Sequence, residues 1–333
     1  MFCRQGAAFS EIFANNTSRH YGSLLTTDGP VAIAENGVQL VVVDGSYGYV
    51  FDLSTHAWTQ ITSPNFYGSS RVAFVDNYLV FVKPNSQQFY WTSLAGVTFD
   101  ALDFASAEGA PDQIRSLLVA HRELWLFGAT STEVWFNVGE LDQPFARIAG
   151  AFLQHGTAAA QSPTLVGESV CWLGSSAEGA GLVFLAVGYQ PQRISTHAVE
   201  HAMTGYPTVS DALGWSEQRE GHLWFVLTFP SGNATWVYDL TSQLWHERAY
   251  LTPATGSWGG TVPMPTPTLS GNTSWGITRM AASMSWTRRP IRMTAMPSNG
   301  CGAVRISRRR TSRMSSTICC NWTWRPAAGW MAG

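Results

Sequence analysis

A run of four apolar, strand-forming residues recurs five times along this chain, and no other feature restricts its fold as much. The runs begin at Leu40, Leu79, Leu124, Val170 and Leu223, so successive copies start 39, 45, 46 and 53 residues apart. Each follows a turn signal (Asn36-Gly37, Asp76-Asn77, His121-Arg122, Gly167-Glu168, Glu220-Gly221) and leads through a polar or glycine-rich turn into a second strand at 49–53, 88–91, 133–137, 182–185 or 235–239. Three units close with a third apolar element, at 57–60, 145–148 and 244–247. β-Branched and aromatic runs bounded by Gly, Asn and Asp are the signature of strands. A repeat of this length matches one blade of a β-propeller. A hairpin with one apolar face cannot stand alone, whereas hairpins packed around an axis bury a continuous core and leave only short edges. The expectation is an all-β, incomplete β-propeller of about five blades, with a β-sandwich as the competing arrangement of short strands. Further closing blades are then missing, and an open ring exposes an apolar edge. One stretch breaks the pattern: Thr196 precedes a run of helix formers in which Val199 and Met203 lie four apart, so 195–203 reads as a short inserted helix.

Charge divides the chain sharply. Residues 248–333 contain no Asp, Glu or Lys but hold eleven arginines and seven of the nine methionines. All 22 acidic residues precede that point against nine basic ones, so a formal net charge of −2 is really about −13 followed by +11. A basic nucleic-acid-binding arm is one reading. Translation in another reading frame suits the segment better, because Lys is absent and six tryptophans (Trp258, Trp275, Trp286, Trp322, Trp324, Trp330) follow no apolar period. The expected organisation is an N-terminal segment 1–30, whose abrupt start in what reads as the middle of an element suggests truncation, a propeller over 31–250, and a disordered or non-native tail over 251–333.

Other readings narrow the function. No stretch reaches the roughly 18 apolar residues that span a membrane, and 1–13 lacks the basic and apolar regions of a signal peptide, so the chain reads as soluble. The five cysteines (Cys3, Cys171, Cys301, Cys319, Cys320) form no disulfide or zinc pattern, and a reducing compartment is the default. His197, Glu200 and His201 spell H-x-x-E-H, a zinc-peptidase string. Gly205 and Pro207 end the helix too soon for a metal framework, so a polar helix face explains the string better. A Walker loop is excluded because Lys83, the only lysine, precedes Pro84, and no G-x-S-x-G elbow occurs in the body. Asp100, Asp103, Glu108 and Asp112 could supply paired carboxylates for glycosidic chemistry. They sit in a long acidic connection, 99–112, and long connections commonly carry interactions, so these four are the candidate channel-facing or interaction residues. No catalytic, cofactor-binding or metal residue is expected.

Specific strings then narrow the family. Residues 112–114, 121–128 (HRELWLFG), 131–136 (STEVWF), 144–148 (PFARI), 150–152, 189–200 (YQPQRISTHAVE) and 235–239 (TWVYD) make the stretch from about 31 to 250 resemble the packaged-DNA stabilisation proteins of short-tailed bacteriophages. That resemblance implies a structural virion protein of the tail, assembled in the bacterial host cytoplasm as a ring of several copies. Such a hub binds below the portal or adaptor protein, carries the tail needle or spikes, and seals the channel. It implies no catalytic residue and no membrane, and DNA would be held only sterically, since a strongly acidic protein repels phosphate. Two alternatives from other classes are a glycoside hydrolase on a propeller scaffold and a kelch-like protein-binding module.

Overall fold

The computed structural model describes residues 2–13, 15, 17–176, 179–219, 221–251 and 258–260. The polypeptide forms six antiparallel sheets arranged as the blades of a β-propeller, with one short helix. The first sheet contains β1 (Phe2–Gln5), β2 (Ala8–Ile12) and β3 (Ser18–Ser23), and the second contains β4 (Ala32–Glu35), β5 (Gln39–Val43), β6 (Gly48–Asp52) and β7 (Trp58–Gln60). The third contains β8 (Val72–Val75), β9 (Tyr78–Val82), β10 (Gln88–Trp91) and β11 (Phe104–Ser106), and the fourth β12 (Ser116–Ala120), β13 (Glu123–Phe127), β14 (Thr132–Asn137) and β15 (Phe145–Leu153). The fifth is built from β16 (Gly156–Thr157), β17 (Thr164–Val166), β18 (Ser169–Ser176), β19 (Gly179–Val187) and β20 (Gln190–Arg193). The sixth runs through β21 (Leu213–Arg219), β22 (His222–Phe229), β23 (Ala234–Asp239), β24 (Leu244–Leu251) and β25 (Trp258–Gly260).

The repeat read from the sequence is therefore real, but the count of about five blades was one too low. The additional blade is β1–β3. Its strands are short and polar, β3 buries no side chain, and only Cys3, Arg4 and Phe9 are buried. It consequently carries none of the apolar runs by which the other five announce themselves. The sandwich alternative fails because the strands make six separate sheets instead of two facing layers. The Arg-rich stretch expected from 251 onward, including Cys301, Cys319 and Cys320, lies outside the described residues apart from Leu251 and Trp258–Gly260.

Contacts between the first strands of successive blades define the axis: β4 touches β8, β8 touches β12, β12 touches β17 and β17 touches β21. Five apolar clusters then fill the spaces between neighbouring blades. Phe9 and Phe51 lie between blades one and two, Val41 and Phe81 between two and three, Phe89 and Phe145 between three and four, Phe127 and Trp172 between four and five, and Leu173 and Phe225 between five and six. Burying a large aromatic side chain stabilises a fold by about 1.5–3 kcal/mol, so each blade is held chiefly by its neighbours and not by its own hairpins.

The turns explain why the chain reverses where it does. Asp76 and Asn77 have φ of 47° and 69°, and His121 and Arg122 have 53° and 65°. Two consecutive left-handed residues make the hairpin turn whose twist matches that of the strands. Blades two and six share a second device. Asp52 accepts hydrogen bonds from the Ser54 and Thr55 amides (3.0 and 2.8 Å), and Asp239 from the Thr241 amide and the Ser242 hydroxyl (2.9 and 2.8 Å). In both blades the Asp-Leu-[Ser/Thr]-[Thr/Ser]-x-x-Trp string closes the turn before the outer strand. The helix α1 (His197–Thr204) falls where Thr196 predicts it, with Thr196 as N-cap and Val199 and Met203 buried. No helix among the described residues is long and apolar enough to cross a membrane.

Candidate functional site

Strand direction sorts the surface into two ends. The segments that cross from one blade to the next, together with the β5–β6, β9–β10 and β13–β14 turns, lie at one end, here the crossover end. The β4–β5, β8–β9 and β12–β13 turns lie at the other, the turn end.

At the crossover end the axis opens into a cavity of ≈ 500 Å³ lined in part by Ser70, Val82, Asn85, Gln113, Arg115 and Ala160. Arg71, which follows the lining residue Ser70 and leads into β8, is 7% exposed. Its Nε donates to Ser116 Oγ (3.1 Å) and an Nη donates to the Pro163 carbonyl (3.4 Å). Ser116 Oγ in turn donates to the Ala160 carbonyl at 2.6 Å. One side chain thus ties blades three, four and five together at the axis. Burial depresses the Arg71 guanidinium to about 10, still far above neutral pH, so it stays charged. Arg115, one repeat later and again just ahead of an inner strand, is exposed and donates from Nη1 to the Thr157 carbonyl (3.1 Å). Sequence reading missed both residues. Their signal was an arginine placed immediately before an inner strand in two consecutive repeats, 44 residues apart, within a body that has only nine basic residues.

The four candidate acidic residues do not form a single loop, because β11 separates them into two pairs. Asp100 and Asp103 lie near the turn end of blade three. Asp100 Oδ1 accepts from the Leu102 amide (2.9 Å), and the Asp103 carbonyl accepts from the Trp91 amide (3.1 Å). Burial, reinforced by the Asp100 charge, raises the Asp103 carboxyl above its ordinary range. Glu108 is exposed on the crossover beyond β11. Asp112, nearer the axis, is a clamp: its carboxylate accepts from the backbone amides of Ala129, Thr130 and Ser131 at 2.9, 2.6 and 2.9 Å. Burial pushes this carboxyl up, but those amides outweigh it and hold it below the usual value.

Of the H-x-x-E-H residues, Glu200 has structural partners. Glu200 accepts from Arg193 and from Ser195 Oγ (2.6 Å), while His197 is exposed at the start of α1. Among the described residues no three His, Cys, Asp or Glu side chains are grouped to hold a metal. Cys3 and Cys171 are buried free thiols, and burial raises both.

The turn end has a different character. Between blades three and four a second hollow, ≈ 490 Å³, is bordered by Asp76, Arg122, Glu123 and Phe136. In the loops before β11 and β15, at the same end, Leu102 and Leu141 are 79% and 82% exposed. Asp76 pairs with Arg122 at 2.8 Å, and Glu123 accepts from the Tyr189 hydroxyl at 2.5 Å, which raises that phenol to about 12. The same two loops carry four carboxylates, Asp100, Asp103, Glu140 and Asp142, and no Lys or Arg. Apolar side chains left in water in loops that also carry carboxylates suit a protein contact better than a reaction centre.

A family model described as Bacteriophage P22 Gp10, beta-propeller (Phage_stabilise) matches residues 6–259. Among curated proteins none matches. Solved structures with a similar outline include Hsv2 of Kluyveromyces lactis, at 9% identity and a TM-score of 0.39, covering 68% of this chain and 66% of that one. PorZ of Porphyromonas gingivalis is 12% identical with a TM-score of 0.41, covering 80% of this chain and 38% of that one. A nidogen/laminin complex is 11% identical with a TM-score of 0.43, covering 73% and 90%. Likenesses this distant carry no conclusion about role.

Proposed function

The chain belongs to the phage stabilisation family described as bacteriophage P22 Gp10, a β-propeller component of the virion, and from that premise we propose that it acts as a tail hub that seals the DNA exit channel. Several copies form a ring below the portal or adaptor protein, assembled in the host cytoplasm, and carry the needle or spikes. The role is structural and not catalytic. The family match across the whole propeller is the observation that carries this reading.

Two physical features support it. A propeller whose blades pack through five apolar interfaces is a rigid block, and rigidity is what a plug under internal pressure requires. The acidic body, about −13 before Arg248, offers little to bind phosphate, which is recognised by Lys and Arg. DNA is then retained by obstruction. The acidic connection around Asp100, Asp103 and Glu108 serves as an interaction surface toward a neighbouring tail protein, while Asp112 holds it in place.

The test uses DNA-filled heads that lack this protein and therefore leak. Adding the purified chain is expected to produce particles with a ring of protein at the portal vertex and DNA resistant to nuclease. Ring assembly without any gain in nuclease resistance contradicts the sealing role.

A further inference from the structure

Arg71 poses a physical problem that the hub reading does not use. A charge removed from water is costly unless it meets an opposite charge. Arg71 is 7% exposed, yet its partners are a serine hydroxyl and a backbone carbonyl, at 3.1 and 3.4 Å. A guanidinium carries five N–H donors, so most of its capacity is unspent. Its pKa is lowered by burial alone, with no carboxylate opposing the effect. Arg115, on the wall of the cavity, likewise donates to a carbonyl, Thr157, and forms no ion pair among the described residues. The carboxylate closest in sequence, Asp112, is occupied by three backbone amides. One cation thus lines a cavity of ≈ 500 Å³ and another follows its lining residue Ser70, and neither forms an ion pair among the described residues.

We propose that this axial cavity binds a carboxylate held by Arg115 on its wall, with Arg71, next to the lining residue Ser70, adding positive charge behind it. Arginine presents a planar fork that matches a carboxylate in a paired geometry. Gln113 and Asn85 supply amides that can orient the bound group, and Val82 and Ala160 give the apolar lining typical of ligand sites. A carboxylate suits the cavity better than a phosphate does. It carries a single charge and costs less to desolvate next to one buried guanidinium, and the surrounding body is strongly acidic. The carboxylate can come from a small organic acid or from an Asp or Glu side chain of a protein segment inserted along the axis.

Titration of the full chain at constant ionic strength tests this, followed by thermal unfolding and calorimetry. The probes are succinate, a hexapeptide rich in Asp and Gly, inorganic phosphate, and chloride as the reference. Succinate or the acidic peptide is expected to raise the unfolding temperature over chloride, and the tighter of the two identifies the source. Arg115→Gln, an exposed position whose change leaves the core intact, is expected to weaken that binding at least tenfold, with Arg115→Lys intermediate. Arg71→Met tests the charge behind the wall and is expected to weaken binding less than Arg115→Gln does; Arg71→Lys, which keeps that charge, replaces it if Arg71→Met fails to fold. No carboxylate effect above chloride, equal binding by Arg115→Gln, or phosphate binding tighter than either carboxylate overturns the proposal.

Discussion

The two ends of the propeller are built from the same repeating hairpin, yet they use charge in opposite ways. At the crossover end the carboxylates are spent on backbone amides, as Asp112 is on the Ala129–Ser131 turn and Asp44 on Ser46 and Tyr47, while the cations Arg71 and Arg115 adjoin a cavity. At the turn end Asp100, Glu140 and Asp142 are exposed beside Leu102 and Leu141, and cations are few. A uniform figure for net charge conceals this polarity. The difference teaches that an acidic propeller can still offer a cationic axis, and that the same residue type is a structural clamp at one end and an open surface group at the other.

That contrast can be broken most forcefully at Asp112. Asp112→Ala removes the acceptor of three backbone N–H groups; a hydrogen bond to a charged group is worth about 1.5–3 kcal/mol, but water re-solvates the exposed Thr130 amide and part of the other two, so urea denaturation should show a loss of about 2–4 kcal/mol. Below that in size stands a pH effect near the turn end of blade six. His246 lies under Trp224, and burial, aided by Arg248 and opposed by Asp239, lowers its pKa to about 4. Because the folded pKa is below the unfolded one, the unfolded chain takes up more protons as pH falls from about 6.5 to 4. Stability should therefore drop across that window by about 2 kcal/mol, a component that His246→Gln removes from the unfolding temperature measured against pH. Asp112 and Asp239 also have lowered values, but their stabilisation is present above the ordinary carboxylate range and is lost only at lower pH. On acidification the histidine at the turn end should accordingly yield before the clamp at the crossover end. Smaller again is Asp100→Ala, expected to change stability by less than about 0.5 kcal/mol as for most surface substitutions. The smallest effect has the opposite sign. Burial and Asp100 raise the Asp103 carboxyl, so its ionisation opposes folding, and Asp103→Asn should stabilise the protein by a few tenths of a kcal/mol (~0.3) at neutral pH.

How much of this was legible follows from what each residue's signal depends on. The strand cores that begin at Leu40, Leu79, Leu124, Val170 and Leu223 show themselves because period, turn and apolar run are all local, and Asp76-Asn77 and His121-Arg122 adopt the left-handed turns their positions imply. Thr196 marked the helix start for the same reason. Blade one escaped notice because Ser18–Ser23 is polar and unburied, and its place in the ring comes from Phe9 stacking on Trp58 of the next blade (4.6 Å between ring centres). The acidic connection read as one loop because β11 is three residues long, too short to show an alternation. Arg71 and Arg115 were illegible because their environment is assembled by three blades, from residues 45 and 92 positions away in the case of Arg71.

Whether DNA is held by obstruction or by ionic attraction can be decided by the salt dependence of retention. Heads capped with the purified chain are incubated from 50 mM to 500 mM salt, roughly the range over which phosphate contacts weaken steeply, and the nuclease-accessible DNA is quantified. Obstruction predicts a retained fraction that does not change with salt while the ring stays bound. A retained fraction that falls linearly on logarithmic axes, with the ring still in place, contradicts it.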